Sequence, residues 1–154
     1  MTTTHAPSPK ANSAAAPPQP SKVSITWDGE HRFDTGRPGA PASKFDGSGI
    51  AGQSPVDALL SAVAACSSID VVDILAKRRT PVASLSVDVT GERVETIPRR
   101  IKHITLAFHI TGQGIEREQA ERAIDLAITK YCSVRDSLRE DIGVDWTLEL
   151  NGKM

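Results

Sequence analysis

Residues 54–81, SPVDALLSAVAACSSIDVVDILAKRRTP, read as one long helix with a cysteine at its middle. Ser54 suits the N-cap, Pro55 the first helical position, and Asp57 falls three residues after the cap, where its carboxylate can close a capping box. At the other end Lys77, Arg78 and Arg79 suit the negative pole of the helix dipole, and Thr80-Pro81 prevents continuation. Leu59, Leu60, Val63, Ile69, Val72 and Leu75 supply apolar bulk. Ala62, Ala64, Ala65, Ser67 and Ser68 keep the surface around Cys66 thin, so that another backbone can approach it closely.

Outward from this helix the period changes to two. Upstream, Val23, Ile25 and Trp27 alternate with Ser24, Thr26 and Asp28, and Asp28-Gly29 signals a hairpin whose return strand carries His31 to Phe33. Residues 35–53, with five glycines and two prolines, read as a loop long enough to suggest function. Downstream, Leu85, Val87 and Val89 alternate with polar residues in a strand running toward Val94, and Ile104, Leu106, Phe108 and Ile110 mark a second strand, expected to pair antiparallel with the first. Helical spacing then covers Glu116 to Arg139, with Glu118 and Arg122 as an i,i+4 pair, and Val144, Trp146, Leu148 and Leu150 mark a last strand. The order hairpin, helix, two strands, helix, strand is that of an α+β domain.

The chain has 154 residues, which suits one domain, expected over residues 22–154. Residues 1–21 hold Pro, Ala, Ser and Thr with no large apolar residue after Met1, and are expected to form a disordered tail. A net charge of -1 offers no basic field for nucleic acid or an anionic membrane, so neither is an expected partner. The uncharged run Ala58 to Ile69 falls short of the roughly 20 apolar residues that span a bilayer, and a soluble protein is expected. The N-terminus lacks the charged start and apolar core of a secretory signal, which points to the cytoplasm, where thiols are kept reduced. His103 and His109 share a strand face without a third ligand, so no metal is expected, and the glycines of residues 36–52 do not match a phosphate loop.

That leaves two cysteines. Alone, each is ordinarily a small core residue, since free cysteine is among the most buried residue types. Together, Cys66 and Cys132, one on each helical stretch, could be a peroxidatic thiol and its resolving partner, although spacing alone does not bring them together.

The segments SPVDALLSAVAACSSIDVVDILAKRR, GERVETIP, HITLAFHITG and ERAIDLAITKYCSV together resemble the OsmC/Ohr family of osmotically inducible and organic hydroperoxide resistance proteins, from about Val23 to the C-terminus. The resemblance is closest to a less characterised branch of that family. It implies an OsmC-like fold with two long helices packed against antiparallel sheet, and an intertwined homodimer. The implied activity is a thiol-dependent peroxidase acting on organic hydroperoxides in oxidative stress defence, with Cys66 peroxidatic and Cys132 resolving. No bound cofactor is implied, only an external dithiol reductant such as a lipoyl group. In the family a glutamate follows the helix-starting proline, a place held here by Val56, with Asp57 the nearest acid; the family's arginine corresponds best to Lys44, with Arg37 and Arg32 as further candidates. Lysine offers a point charge where arginine offers a fork. The alternative to a peroxidase is a stress-related or binding dimer with the same fold and no efficient peroxidase activity.

Overall fold

A computed structural model describes residues 17–154. Residues 1–16 of the expected tail lie outside it, and residues 17–21 are exposed and without regular structure. The elements in chain order are β1 (Ser24–Trp27), β2 (Arg32–Gly36), β3 (Ser43–Asp46), α1 (Pro55–Lys77), β4 (Ser84–Arg93), β5 (Ile101–Thr111), α2 (Arg117–Leu126), a π-helical turn (Ala127–Tyr131), α3 (Ser133–Asp136) and β6 (Gly143–Leu150). The fold is α+β, as the sequence indicates.

α1 starts as read. The Asp57 N–H donates to Ser54 Oγ at 3.2 Å, and Asp57 Oδ2 accepts from the Ser54 N–H at 3.2 Å, so two of the orphan donors of the first turn are satisfied reciprocally. By length and composition α1 would pass for a membrane span. Here it is the core helix of a globular unit, with Val63, Ala64, Ser67, Val71 and Leu75 buried against β4, α2 and the π turn. Ser67 is tolerated in that interior because its hydroxyl donates to the Val63 carbonyl at 2.9 Å, one turn back.

The main sheet has the order β4-β5-β6. β4 and β5 are antiparallel, as expected, with Val87 opposite Phe108, while β5 and β6 run parallel, with Phe108 opposite Leu148, so the sheet is mixed and not wholly antiparallel. The period-two pattern of β5 puts Ile104, Leu106, Phe108 and Ile110 under the helices, all fully buried, and His103 and His109 on the opposite face. There His103 meets Asp145 at 3.1 Å and His109 meets Asp88 at 3.1 Å.

The small sheet β1-β2-β3 departs from expectation in two places. The turn after β1 is longer than a two-residue hairpin, with the Asp28 N–H bonded to the Arg32 carbonyl, so β2 starts at Arg32. Residues 35–53 also contain a strand: β3 pairs antiparallel with β2, Phe45 opposite Phe33. Four residues between Pro- and Gly-rich flanks carry too little alternation to be seen in the sequence.

After β3 the chain folds tightly into α1 around one carboxylate. Asp46 accepts from the Ser48 hydroxyl at 2.6 Å, the Ser48 N–H at 2.9 Å and the Ala51 N–H at 2.9 Å. Gly52 then passes so close to β3 that a Cβ there would lie 2.2 Å from the Lys44 carbonyl oxygen. The Ser48 hydroxyl and the backbone donors hold the Asp46 carboxyl well below the ordinary carboxylate range. A depressed folded-state value means that its contribution is fully present above the unfolded value of about 3.9 and is lost as the pH falls from there toward the folded value. Asp46→Asn should therefore lower the melting temperature at pH 7, and the gap to the parent should narrow on acidification below about pH 4. A gap that is constant with pH in thermal melts would show that the charge is not what matters.

Candidate active site

The helical pattern over residues 116–139 is broken at the cysteine it contains. α2 widens into the π turn, where the Cys132 N–H reaches back to the Ala127 carbonyl at 2.8 Å, five residues earlier. Cys132 itself takes an extended conformation, φ -70° and ψ 97°, and becomes the N-cap of α3, its Sγ accepting from the Arg135 N–H at 3.3 Å. The expected second long helix is thus a three-turn helix, a wide turn and a single further turn. Its i,i+4 pairing also shifts, from Glu118–Arg122 to Arg117–Glu121 at 3.3 Å.

The break aims Cys132 at α1. Its Sγ lies 3.9 Å from the carbonyl of Val63, three residues before Cys66, and the Cys66 side chain is near enough to raise the Cys132 pKa. Close approach is possible because the surfaces that meet are small: Ala64 and Ser67 on α1, Ala120, Ala123 and Ala127 on the second helical stretch, all buried. Cys132 is 3% exposed and Cys66 half-buried. Burial pushes the Cys132 thiol up, and the Cys66 sulfur adds to this, against the opposing pull of the Arg135 and Val134 N–H groups. Cys132 therefore holds its proton more firmly than a free cysteine does. Its S–H has the Val63 carbonyl as acceptor.

The other candidates sit elsewhere in the chain. Lys44 bridges two carboxylates of the small sheet, with Nζ at 2.5 Å from Asp28 and 2.6 Å from Asp34, and both raise its pKa. Arg37 lines a surface depression with Gln19, Ser21 and Lys22. Arg32 pairs with Glu30 at 2.5 Å. Asp57 is committed to the helix cap, nine residues before Cys66, which is about 13 Å along the axis. Among the described residues no cluster of three His, Cys, Asp or Glu side chains is arranged for a metal.

Two features of the site were not read from the sequence. One is Arg135, whose N–H donates to Cys132 Sγ and whose Nη2 donates to the Ile142 carbonyl at 3.1 Å, tying α3 to the start of β6. Cys-Ser-Val-Arg carries a faint signal for it, a cap-forming residue three before another, hidden because cysteine is not a usual N-cap. The other is a cavity of about 640 Å³ behind Cys132, lined by Ile128, Ile142 and Val144 with Thr129, Lys130 and Arg135.

A family model described as OsmC-like protein matches residues 46–147, which include both cysteines. The chain belongs to the OsmC-like family. It is 40% identical over 103 residues to Protein YhfA of Escherichia coli K12, covering 67% of this chain and 77% of that protein. A crystal structure of an OsmC-like protein from Mycoplasma pneumoniae superposes with a TM-score of 0.73 at 16% identity, covering 86% of this chain and 97% of that one. The organic hydroperoxide resistance protein OhrB of Bacillus subtilis does so with a TM-score of 0.57 at 16% identity, covering 83% and 96%. These two likenesses show the fold of the OsmC-like family.

The state of Cys132 can be read chemically. In a Cys66→Ser variant, where burial still acts on Cys132, alkylation by iodoacetamide at pH 8 should be slower than that of a free cysteine and should go on rising with pH above about 8.5, where a free cysteine levels off. Unfolding in urea should abolish the difference. An ordinary alkylation profile in the folded variant would contradict the buried, protonated assignment.

Proposed function

We propose that this chain is a thiol-dependent peroxidase that reduces organic hydroperoxides through Cys66 and Cys132. The observation that carries the reading is the approach of the Cys132 sulfur to α1 three residues from Cys66, made by two helical stretches whose cysteines are 66 residues apart in sequence. A compartment that keeps thiols reduced leaves little structural reason for such a pair, and a redox cycle supplies one. In this cycle the Cys66 thiolate attacks the terminal peroxide oxygen, the O–O bond breaks, and the alkoxide leaves and takes up a proton as an alcohol. Cys66 is then a sulfenic acid. The Cys132 sulfur attacks the Cys66 sulfur, water leaves, and a disulfide forms within the chain. An external dithiol, of which a lipoyl group is one form, returns both thiols to the reduced state. The cycle suits the cytoplasm and requires no bound cofactor.

The functional unit in this reading is a homodimer. Leu59, Ile69 and Val72 on α1 are left exposed, as are Val23, Ile25 and Trp27 on and beside β1, apolar surface of the kind that marks an interface. The cation that favours the Cys66 thiolate is then supplied across that interface, with Lys44 and Arg37 as candidates. Folded monomers in sedimentation equilibrium at micromolar concentration would contradict the dimer.

The second reading, a dimer of the same fold without efficient peroxidase activity, is favoured by the engagement of Lys44 with Asp28 and Asp34 and by Val56 in place of an acid. Serine variants distinguish the two. Cys66→Ser should reduce hydroperoxide consumption to the uncatalysed rate. Cys132→Ser should consume one equivalent and stop at a sulfenic acid on Cys66, tagged by a dimedone probe in mass spectrometry and driven to sulfinic acid by excess peroxide. Parental activity in Cys66→Ser, or no adduct in Cys132→Ser, favours the second reading.

A further inference from the structure

The two sulfurs differ in what they face. Cys132 contributes to the wall of the 640 Å³ cavity, and Cys66 does not. The cavity falls within the 300–1,000 Å³ of small-molecule sites and is apolar at Ile128, Ile142 and Val144, with Thr129 and Lys130 exposed at its edge. Its charged mouth, where Asp136 and Glu140 are also exposed, is unlike the apolar surfaces of α1 and β1 that a second chain would cover.

We propose that this cavity is the entry for the reductant, and that the dithiol attacks the oxidised pair at the Cys132 sulfur. The inference rests on the redox cycle above and adds the sulfur that is attacked and the route to it. A thiolate of the dithiol entering the cavity bonds to Cys132 Sγ. The Cys66–Cys132 bond breaks, and Cys66 departs with the electron pair as a thiolate. The dithiol's second thiolate then attacks the dithiol's own bonded sulfur and closes a cyclic disulfide. Cys132 is expelled as a thiolate, briefly stabilised by the Arg135 N–H at 3.3 Å, and takes up the proton released by the dithiol. Two electrons pass from the dithiol to the protein disulfide, and the hydroperoxide is not involved. Leaving-group chemistry runs the same way, because burial disfavours the Cys132 thiolate and so makes Cys66 the better group to expel in the first step. Separate routes also keep reductant and hydroperoxide from competing for one opening.

The test begins with full-length protein oxidised by diamide, so that it does not depend on peroxide activity. Brief exposure to the monothiol 2-mercaptoethanol, acid quenching, alkylation and peptide mapping should place the mercaptoethanol adduct on Cys132 and the alkyl group on Cys66. The reverse placement overturns the proposal. Thr129→Trp, which puts a large ring at the mouth, should slow reduction of the disulfide by dithiothreitol on the order of tenfold to 100-fold while leaving the rate of Cys66 oxidation by cumene hydroperoxide unchanged. Unchanged reduction, or an equal slowing of both steps, also overturns it. An inert peroxide step in the parent would instead count against the peroxidase reading and leave the mapping result valid.

Discussion

A thiol at the middle of a helix can meet a second thiol only if another element arrives at that height and turns its own sulfur inward. Here the requirement is met by a break. The π turn and the extended conformation of Cys132 end one helical stretch and begin another at the level of Val63 and Cys66 on α1. A continuous second helix would carry Cys132 past α1 on a fixed radius. The interruption gives the sulfur its inward direction, and the Arg135 N–H and the Val63 carbonyl hold it there.

The remainder of the fold serves that junction. β5, buried along its inner face, gives α1 and α2 a common floor, and the small residues of both helical stretches let them close on each other. At the other end of α1, the Asp46 turn and the Ser54 cap set where the helix begins and hence the height at which Cys66 stands. Cys132 is buried and Cys66 less so, and burial holds the proton on Cys132.

Much of this was legible in the sequence because it depends on local chemistry. The Ser54-Pro55-Asp57 start, the alternation of β5 and the small residues around Cys66 each report a local preference that the tertiary structure respects. What was not legible depends on packing at a distance. β3 is four residues long and exists because β2 lies beside it. The spacing from Ala120 to Leu138 stays apolar at helical intervals through the break, so periodicity could not reveal that Cys132 leaves the helix. Parallel pairing of β6 follows from the α2 crossover, which no strand pattern records. The destination of Lys44 was hidden too, since Asp28, just after β1, and Asp34, on β2, become a carboxylate pair only when the sheet forms.

The central claim is that Cys66 and Cys132 form a redox pair matched to organic hydroperoxides. Its most direct measure is a titration of free thiols in the reduced protein with cumene hydroperoxide. One equivalent should remove two thiols per chain, with the chain remaining free of interchain disulfide on a nonreducing gel and with both thiols restored by dithiothreitol. Loss of a single thiol per equivalent, or two thiols that persist in excess hydroperoxide, would contradict it.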